Sequence, residues 1–522
     1  MSIPIIDLFA GPGGLGEGFS SYKNSGLTPF EIALSIEKDP VAHQTLKLRS
    51  FTRQFKSDIP EEYYNYVRTE KAVIDEYLYN DKFKKQLQSA ESEAINLALG
   101  PDNPEIERLI KGKIANREDW VLIGGPPCQA YSLIGRARMK KNENFAIDER
   151  HTLYENYLQM LAKFKPAVFV MENVKGMLSS KIDGESVFAR IMDDLSHPTL
   201  TLEKSKKSSL RYKIYSFTVD KEDPDNLEPS DFIIKSENYG IPQRRHRVIL
   251  LGIRTDKNHS LDSDLLLEAE SPISVYDAIG DLPRLRSRIS RKISDGGDTF
   301  SNWQANIENM PMNLNGEAKD IESSITNTIS EIMKSKVQAN TGGRFTSEEI
   351  SINNNSSNFL KQNWSWFHDE KIGGVLNHQS RRHMDSDIHR YLFCSVFAQQ
   401  KNRAPKLKDF PDVLLPNHRN VDKGKAGLFS DRFRVQLRNN PATTVTSHIS
   451  KDGHYYIHYD PTQCRSLSVR EAARLQTFPD NYFFEGTVTQ QYHQVGNAVP
   501  PILAKKLADT VYQIMKSRGQ AN

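Results

Sequence analysis

Short apolar runs alternate with helical patterns along the first 60 residues. The run from Ile5 to Phe9 precedes a glycine-rich turn and a helical stretch, and a second run, IALSIE (32–37), precedes another helix that starts at Pro40. Strands that are buried on both faces of a parallel sheet are continuous in apolar residues, and helices connect them. The opening of the chain therefore predicts a β-α-β unit.

Three further runs have the character of buried parallel strands: WVLIGG (120–125), AVFVME (167–172) and RVILLGI (247–253). Near the C-terminus the chain returns to a helical pattern in SVREAARLQTF (468–478) and predicts an amphipathic helix in PPILAKKLADTVYQIM (500–515). We expect an α/β fold in which a large module is inserted before the last helices.

Two stretches interrupt this rhythm. Residues 61–118 are charged and rich in tyrosine, and their helical periodicity predicts a helical insertion on the surface. Residues 255–460 are rich in Arg, His, Asn and Ser, and within them residues 326–358 are predicted to form a loop or a poorly ordered linker.

Composition excludes several classes of protein. Of the 522 residues 38% are hydrophobic and 26% are charged, and no run approaches the roughly 20 apolar residues that cross a bilayer. The N-terminus lacks the features of a signal peptide, so we expect a cytoplasmic protein without a membrane segment. The three cysteines are far apart, which predicts neither a disulfide framework nor a metal site. A net charge of +3 leaves a nucleic-acid partner open, because clustering of basic residues decides that question.

The glycine-rich turn DLFAGPGGLGEGF (7–19) is a candidate ligand site. Gly11 and Gly14 lack a Cβ, so the backbone there can approach a ligand closely at the carboxyl edge of the sheet. The spacing is not that of a phosphate-binding ATP loop. Glu37 ends the second strand, where an acid can accept hydrogen bonds from ribose hydroxyls. By position alone Glu37 could equally be a solvated strand end.

Cys128 follows one buried strand, and Glu172 ends another. In the turn GGPPCQAYS (124–132) the two prolines stiffen the chain before Cys128. An isolated cysteine is usually buried and unreactive, but this Gly-Gly-Pro-Pro turn favours a reactive thiol at Cys128. Glu172 ends the strand of FVMENV (169–174), where a carboxylic acid must meet water, find a partner or hold a proton. A protonated acid there could polarise the ring nitrogen of a heterocycle.

An arginine cluster precedes the strand at 247–253. In YGIPQRRHRV (239–248), alternation along an extended segment would place Arg245 and Arg247 on one face, where two guanidinium groups can bind a phosphate or a carboxylate. A solvated surface cluster is the commoner explanation of such a run.

Taken together and in order, these segments resemble the cytosine-5 DNA methyltransferase family. The matching segments are DLFAGPGG, PPCQ, ENV, QRRHR, RSLSVREAARLQTFPD and GNAVPP. The resemblance implies a Rossmann-like, S-adenosylmethionine-dependent methyltransferase core with an inserted target-recognition domain. It also implies that Cys128 attacks carbon 6 of a cytosine flipped out of the duplex, while Glu172 engages the ring nitrogen and the amine.

The resemblance extends to further residues, each by its place in a motif. Arg245 and Arg247 would steady the flipped nucleotide and the acid. The residues implied to bind S-adenosylmethionine are Phe9, Gly11, Pro12, Gly14, Glu37, Lys38, Asp58, Ile59, Leu153 and Asn497. Those implied to contact DNA or support a mobile loop over it are Gln129, Ser132, Gly135, Arg136 and Gln243. No metal is implied.

The implied organisation has three parts. Residues 1–270 form the catalytic core with the insertion at 61–118, residues 271–462 form the target-recognition domain, and residues 463–522 complete the core. The implied partner is double-stranded DNA, in a bacterial or phage-encoded restriction–modification system with a companion endonuclease, and the implied state is a monomer.

Three alternatives differ in chemistry or substrate. A cytosine methyltransferase for transfer RNA shares the core but has a short recognition region. A DNA-binding regulator without activity would not need Cys128, Glu172 and both arginines. A thiol hydrolase would need a base beside Cys128, and candidates such as His151 and His246 have no suitable motif context.

Overall fold

The structure is a computed structural model that describes residues 2–56, 58–100, 104–115, 117–126, 149–182, 185–202, 210–219, 223–255, 271–292, 294, 296–335, 340–416 and 431–519. The strands are β1 Ile3–Leu8, β2 Phe30–Glu37, β3 Ala94–Asn96, β4 Val121–Gly124, β5 Val168–Val174, β6 Lys181–Ile182, β7 Glu185–Ser186, β8 Tyr212–Tyr215, β9 Ile233–Lys235, β10 Gln243–Arg244, β11 His246–Arg254, β12 Arg288–Ile289, β13 Gly342–Thr346, β14 Val375–Gln379, β15 Arg382–His383 and β16 Ala442–Thr443.

Helices lie between and after these strands. They are α1 Gly14–Ser21, α2 Pro40–Arg53, α3 Glu61–Arg68, α4 Ile74–Tyr77, α5 Lys84–Glu93, α6 Pro104–Ile114, α7 Glu149–Phe164, α8 Val187–Ser196, α9 Pro198–Leu202, α10 Val275–Ile279, α11 Phe300–Glu308, α12 Glu322–Lys334, α13 Asn358–Gln362, α14 Trp364–Phe367, α15 Asp385–Lys401, α16 Val469–Leu475, α17 Val488–Asn497 and α18 Pro501–Ser517. None of the described helices has the length and apolar character that a bilayer crossing requires.

One large sheet organises the core, with strand order β3-β2-β1-β4-β5-β11-β8 and β9 beside β11. The first five strands of this order are parallel, as expected for β-α-β units. β11 runs antiparallel to β5, β8 and β9. The sequence predicted a parallel strand there, and that prediction was wrong. An apolar run shows that a strand is buried on both faces, but it carries no information on direction.

Alternation along β1 divides the core into two layers. Ile3 and Ile5 pack with the C-terminal helix α18, whereas Ile6 and Leu8 pack with α6 and α7 on the other face. Helices therefore cover both faces of the sheet, which is the layering of a Rossmann-like α/β fold.

The stretch 61–118, expected as a helical insertion on the surface, contributes to the core. β3 lies inside it and pairs with β2, and α6 buries Ile106 and Ile110 against the sheet. Tyrosines of α3 form a separate apolar cluster with Leu376. The tyrosine-rich composition of this stretch therefore reflects packing between α2, α3 and β14.

The expectation of a loop at 326–358 was wrong for its first part and for the strand β13, whereas residues 347–357 lie outside helices and strands. α12 covers its first part, and its side chains at Ile325 and Ile332 are fully buried in the apolar core of the recognition region. Ile325, Ile329 and Ile332 are spaced four and three residues apart, which is the stripe of an amphipathic helix. The residues between these isoleucines are mostly polar, so the composition of the segment indicated a loop although its apolar spacing is helical.

Buried arginines join the recognition region to the core. Arg465 binds Glu471 at 2.7 and 2.6 Å and also donates to the carbonyl oxygen of Leu285 at 3.2 Å. Arg474 binds Asp480 at 2.5 and 2.6 Å and also donates to Asp281 at 3.2 Å. The Arg465 charge helps to hold the pKa of Glu471 well below its usual range, although burial opposes this. Buried pairs of this kind are costly to break, so this segment is a rigid connection.

Gly124 ends β4 and Gly125 follows it, and both allow a close approach of backbone segments. A Cβ on Gly125 would lie 1.9 Å from the carbonyl oxygen of Glu172, whereas a Cβ on Gly176 would meet nothing within 4 Å. Gly125→Ala should therefore lower the stability of the fold by about 1–3 kcal/mol through steric overlap. Thermal unfolding measures this as a lower midpoint, with Gly176→Ala as the matched control. Equal midpoints for the two variants would contradict the crossing.

Asp7 lies in the middle of the core, and its residue is 1% exposed. Burial raises the pKa of Asp7 to about 8, and the charge of Arg53 only partly offsets this. The folded protein therefore keeps the Asp7 proton up to about pH 8, while the unfolded chain loses it near the ordinary value of 3.8. Ionisation of Asp7 thus destabilises the fold as the pH rises through this window.

Asp7→Asn should remove this loss, because the amide stays neutral in both states. The stability of the variant relative to the parent protein should increase by about 1–3 kcal/mol between pH 5 and pH 7, measured by denaturant unfolding. Asp58→Asn is the control, since the Asp58 side chain is 93% exposed. If the free energies of unfolding of Asp7→Asn and the parent protein differed by the same amount at both pH values, Asp7 would already be ionised in the folded protein.

Candidate active site

A cleft of about 610 Å³ opens at the carboxyl ends of the parallel strands. This volume is in the range of small-molecule and cofactor sites. Residues from five strand ends, from α7 and from two C-terminal segments line it. The lining includes Phe9, Gly11, Pro12, Gly14, Glu37, Lys38, Leu97, Leu99, Gly125, Pro126, Leu153, Glu172, Asn173, Ser447, His493 and Asn497.

The glycine-rich turn forms one wall of the cleft. Phe9 and Gly11 adopt positive φ angles of 59° and 58°, which turn the chain sharply after β1. A Cβ on Gly14 would lie 2.3 Å from the carbonyl oxygen of Val499, so only glycine allows the C-terminal segment to approach this closely. The turn is thereby held against the segment that also carries Asn497.

Glu37 connects the ends of β1 and β2. Its carboxylate accepts the backbone N–H of Gly11 at 2.8 Å and that of Asp39 at 2.7 Å. Burial raises the pKa of Glu37, and the two N–H donors act in the opposite direction. Each carboxylate oxygen has more than one lone pair, so Glu37 can still accept hydrogen bonds from a ligand in the cleft.

Asp58 and Ile59, which the family resemblance implied as cofactor residues, are not among the residues that line this cleft. The Asp58 side chain projects into solvent and its nearest cation is Lys371, at 3.3 Å. The wall expected there is supplied by Leu97 and Leu99, which follow β3. The missed signal was the apolar segment AINLALG (94–100), which is a strand and its exit inside a stretch that otherwise has helical periodicity.

Glu172 and Arg247 form an ion pair in the cleft region. Arg247 Nε lies 2.9 Å from Glu172 Oε1, and the two side chains are 15% and 18% exposed. The alignment of Nε with the oxygen is not that of a good hydrogen bond, so the contact is mainly electrostatic. Glu172 keeps access to the cleft, and the guanidinium group orients its carboxylate.

Arg245 is buried and binds backbone carbonyl oxygens, whereas Arg247 meets Glu172. Its residue is 2% exposed and its Nη1 donates to the carbonyl oxygens of Val445 at 2.8 Å and Gly496 at 3.2 Å. Burial and the neighbouring charge of Arg247 lower the pKa of Arg245 to about 9, so the group remains cationic at neutral pH. Arg245 therefore braces the segments that carry Ser447 and Asn497.

Gln243 is a second buried brace. Its amide donates to the carbonyl oxygen of Leu475 at 2.9 Å and to Gln476 Oε1 at 2.7 Å, and its own Oε1 accepts the N–H of Val445 at 2.9 Å. Every polar position of the amide is thus used inside the protein. Gln243 supports the cleft from behind.

Asn173 was not singled out in the sequence, although it follows Glu172. Its Nδ2 donates to the carbonyl oxygen of Pro126 at 2.9 Å. This bond fixes the start of the turn that leads to Cys128. Cys128, Gln129, Ser132, Gly135 and Arg136 lie outside the described residues.

The two other cysteines are buried and unpaired. Cys394 and Cys464 are both 0% exposed, and burial raises the pKa of each thiol well above its usual value. Neither is suited to act as a thiolate. In the described ranges, no cluster of His, Cys, Asp and Glu side chains could hold a metal ion.

Comparisons with known proteins identify the family. The model of the C-5 cytosine-specific DNA methylase family matches residues 77–199 and 227–513. The type II methyltransferase M.Bpa9945I of Bacillus paralicheniformis is 33% identical over 98% of this chain and 99% of its own. M.DdeI of Desulfomicrobium norvegicum, also named a type II methyltransferase, is 25% identical over 97% of this chain and 88% of its own.

A similar solved structure is that of an E. coli prophage protein described as a DNA modification methyltransferase. It is 19% identical, with a TM-score of 0.48, over 99% of this chain and all of that chain. The match to the family model over most of the chain, and a full-length relative at 33% identity, decide the assignment. The chain therefore belongs to the C-5 cytosine-specific DNA methylase family, and it is a DNA (cytosine-5-)-methyltransferase with a Rossmann-like α/β core.

Proposed function

We propose that the protein transfers the methyl group of S-adenosylmethionine to carbon 5 of a cytosine flipped out of duplex DNA, through a covalent adduct with Cys128. The observation that carries the proposal is the meeting of the glycine-rich turn, Glu37 and Glu172 in one cleft, beside the strand exit that leads to Cys128. The chemistry needs a methyl donor, a nucleophile and an acid at one place.

The cleft fits the methyl donor. Its volume of about 610 Å³ suits a nucleoside with an amino-acid side arm, and Glu37 offers an anchored acceptor for two ribose hydroxyls. S-adenosylmethionine supplies a methyl group on a sulfonium sulfur. The residues proposed to hold it are Phe9, Gly11, Pro12, Gly14, Glu37, Lys38, Leu97, Leu99, Leu153 and Asn497.

Cys128 is proposed as the nucleophile on chemical grounds. Carbon 5 of cytosine is a poor nucleophile until a thiolate bonds to carbon 6, which raises the electron density at carbon 5. After carbon 5 has gained the methyl group, loss of its proton lets the bond from Sγ to carbon 6 break. Cys394 and Cys464 are excluded from this role by their burial.

Glu172 is proposed to contact the base. It can accept a hydrogen bond from the exocyclic amine of cytosine and share a proton with the ring nitrogen, which draws electrons from carbon 6 as the thiolate adds. Arg247 holds this carboxylate in place from 2.9 Å. Arg245 and Gln243 act behind the cleft by fixing the segments that line it.

The biological role is proposed from the relatives. M.Bpa9945I and M.DdeI are named type II methyltransferases. We infer that this protein likewise modifies one specific sequence of duplex DNA in the bacterial cytoplasm. A companion endonuclease would cut the same sequence, and the methyltransferase would act as a monomer. Residues 271–462 are proposed as the target-recognition domain, and Gln129, Ser132, Gly135 and Arg136 as part of the loop that closes over DNA.

Cys128→Ser should abolish methyl transfer while both ligands still bind. The measurement is transfer of labelled methyl groups from S-adenosylmethionine to duplex DNA, followed by nucleoside analysis, with binding of each ligand measured separately. Cys394→Ala is the control, because it removes a thiol that is fully buried. The activity of this variant per folded molecule should match that of the parent protein. Turnover by Cys128→Ser, or activity confined to transfer RNA, would overturn the proposal.

Glu172→Gln should lower kcat by about 10²–10⁴-fold, because an amide cannot share a proton with the ring nitrogen. The KM for DNA should change little, since the substitution preserves shape. Single-turnover kinetics separate the two quantities. A loss that appears only in KM would instead assign Glu172 to substrate binding.

A further inference from the structure

The three arginines of QRRHR have different surroundings. Arg245 is buried on carbonyl oxygens and Arg247 faces Glu172. Arg244 is exposed, and within the described part of the chain its guanidinium group has no hydrogen-bond or ion-pair partner. An exposed arginine is by itself ordinary, so the surroundings of Arg244 decide whether it has a function.

Arg244 lies at one end of a connected backbone framework. It pairs with Thr443 across β10 and β16, and its carbonyl oxygen accepts the Thr444 hydroxyl at 2.6 Å. Gln436 Oε1 accepts the Thr443 N–H at 2.9 Å, and Gln436 Nε2 donates to the carbonyl oxygen of Tyr455 at 2.8 Å. This chain of bonds fixes the spacing between Arg244 and Tyr455.

A second arginine lies at the other end of the framework. Arg434 precedes Gln436 by two residues, and its guanidinium carbon is 5.4 Å from the centre of the Tyr455 ring. Contact with an aromatic ring orients a guanidinium group while leaving its N–H donors available. Its carboxylate partner, Asp431, is half exposed, so a phosphate can replace this weak surface pair at small cost.

The framework adjoins the cleft. The turn Ser447–Ser450 follows Thr444 closely, and Ser447 lines the cleft itself. The His448 ring lies 6.3 Å from the Tyr455 ring, and the Arg381 guanidinium group donates to the carbonyl oxygen of Ile449. Asp452 Oδ2 lies 3.9 Å from His448 Nε2, and Asp452 Oδ1 accepts the backbone N–H of His454 at 2.9 Å. The surface beside the cleft is therefore rigid and presents two arginines.

We propose that Arg244, Arg434 and Tyr455 form a phosphate-binding strip that holds the sugar–phosphate backbone of duplex DNA beside the flipped cytosine, with Thr444 fixing the backbone of Arg244. The inference rests on the proposed function, since it assumes that a base of duplex DNA enters the neighbouring cleft. Planar guanidinium groups match phosphate geometry, and contacts to phosphate set position and affinity without reading sequence. These three residues thus place the DNA, and residues outside the strip choose the sequence.

Arg244→Gln and Arg434→Gln test the strip. Each phosphate contact contributes about 0.9 to the slope of log affinity against log salt concentration, so each variant should reduce the slope by about 0.9 and the double variant by about 1.8. Affinity at 0.1 M salt should fall about eightfold per contact. The probe is a fluorescein-labelled duplex of random sequence, titrated between about 50 and 200 mM salt.

Lys516→Gln is the matched control for charge. Lys516 is exposed near the end of α18, and the nearby Arg518 donates to the carbonyl oxygen of Arg254, at the opposite end of β11 from Arg247. Removal of the Lys516 charge should leave the slope of log affinity against log salt concentration unchanged. Arg434→Lys keeps the charge and should restore most of the slope, which separates loss of a contact from a folding defect.

The outcomes distinguish the strip from the proposed function. Methylation of DNA by the parent protein, together with unchanged slopes in Arg244→Gln and Arg434→Gln, would overturn the strip alone. A parent protein that neither binds nor methylates DNA would overturn the proposed function. A change in sequence preference without a change in slope would also contradict the strip, because phosphate contacts carry no sequence information.

Discussion

The antiparallel pairing of β11 with β5 fixes which arginine meets the acid. In this register Arg247 lies opposite Val174 and Ile249 lies opposite Glu172, so Arg247 and Glu172 are diagonal neighbours at the cleft edge of the sheet. A parallel strand would have brought the other end of β11, near Arg254, to this edge. The direction of one strand therefore determines the electrostatics of the site.

Glycine and buried hydrogen bonds hold the remaining groups around that pair. Gly14 and Gly125 let backbone segments cross at distances that a Cβ would prevent. Arg245 and Gln243 fix the segment around Val445. These groups work from behind the cleft, so its surface stays open to ligands while its walls are rigid. Such preorganisation is what a site needs to align two substrates.

Local pattern in the sequence was enough to predict four of the five parallel strands, β1, β2, β4 and β5, and the residues at their ends. Glu37 and Glu172 each end an apolar run, and the structure places both in one cleft because parallel strands end at the same edge. Asp58 could not be judged in this way, because its place depends on where β3 begins, 36 residues later in a charged stretch. The direction of β11 depends on long-range pairing, which no local pattern encodes.

The different surroundings of the three arginines could not be predicted from the sequence either. Arg244, Arg245 and Arg247 are nearly adjacent, yet one is exposed, one is buried on carbonyl oxygens and one faces an acid. The partners of Arg245 lie 200 and 251 residues away, at Val445 and Gly496, whereas Arg247 meets Glu172 on another strand. Sequence spacing predicts which residues can share a face, but it does not predict what that face meets.

Peptide mapping of a trapped adduct tests the central claim most directly. The parent protein is incubated with S-adenosylmethionine and duplex DNA that carries 5-fluorocytosine, whose fluorine cannot leave as the C5 proton does. Mass spectrometry after proteolysis should find the modified pyrimidine on the peptide that contains Cys128. A modification on the peptides of Cys394 or Cys464, or methylated DNA without any trapped peptide, would contradict the account.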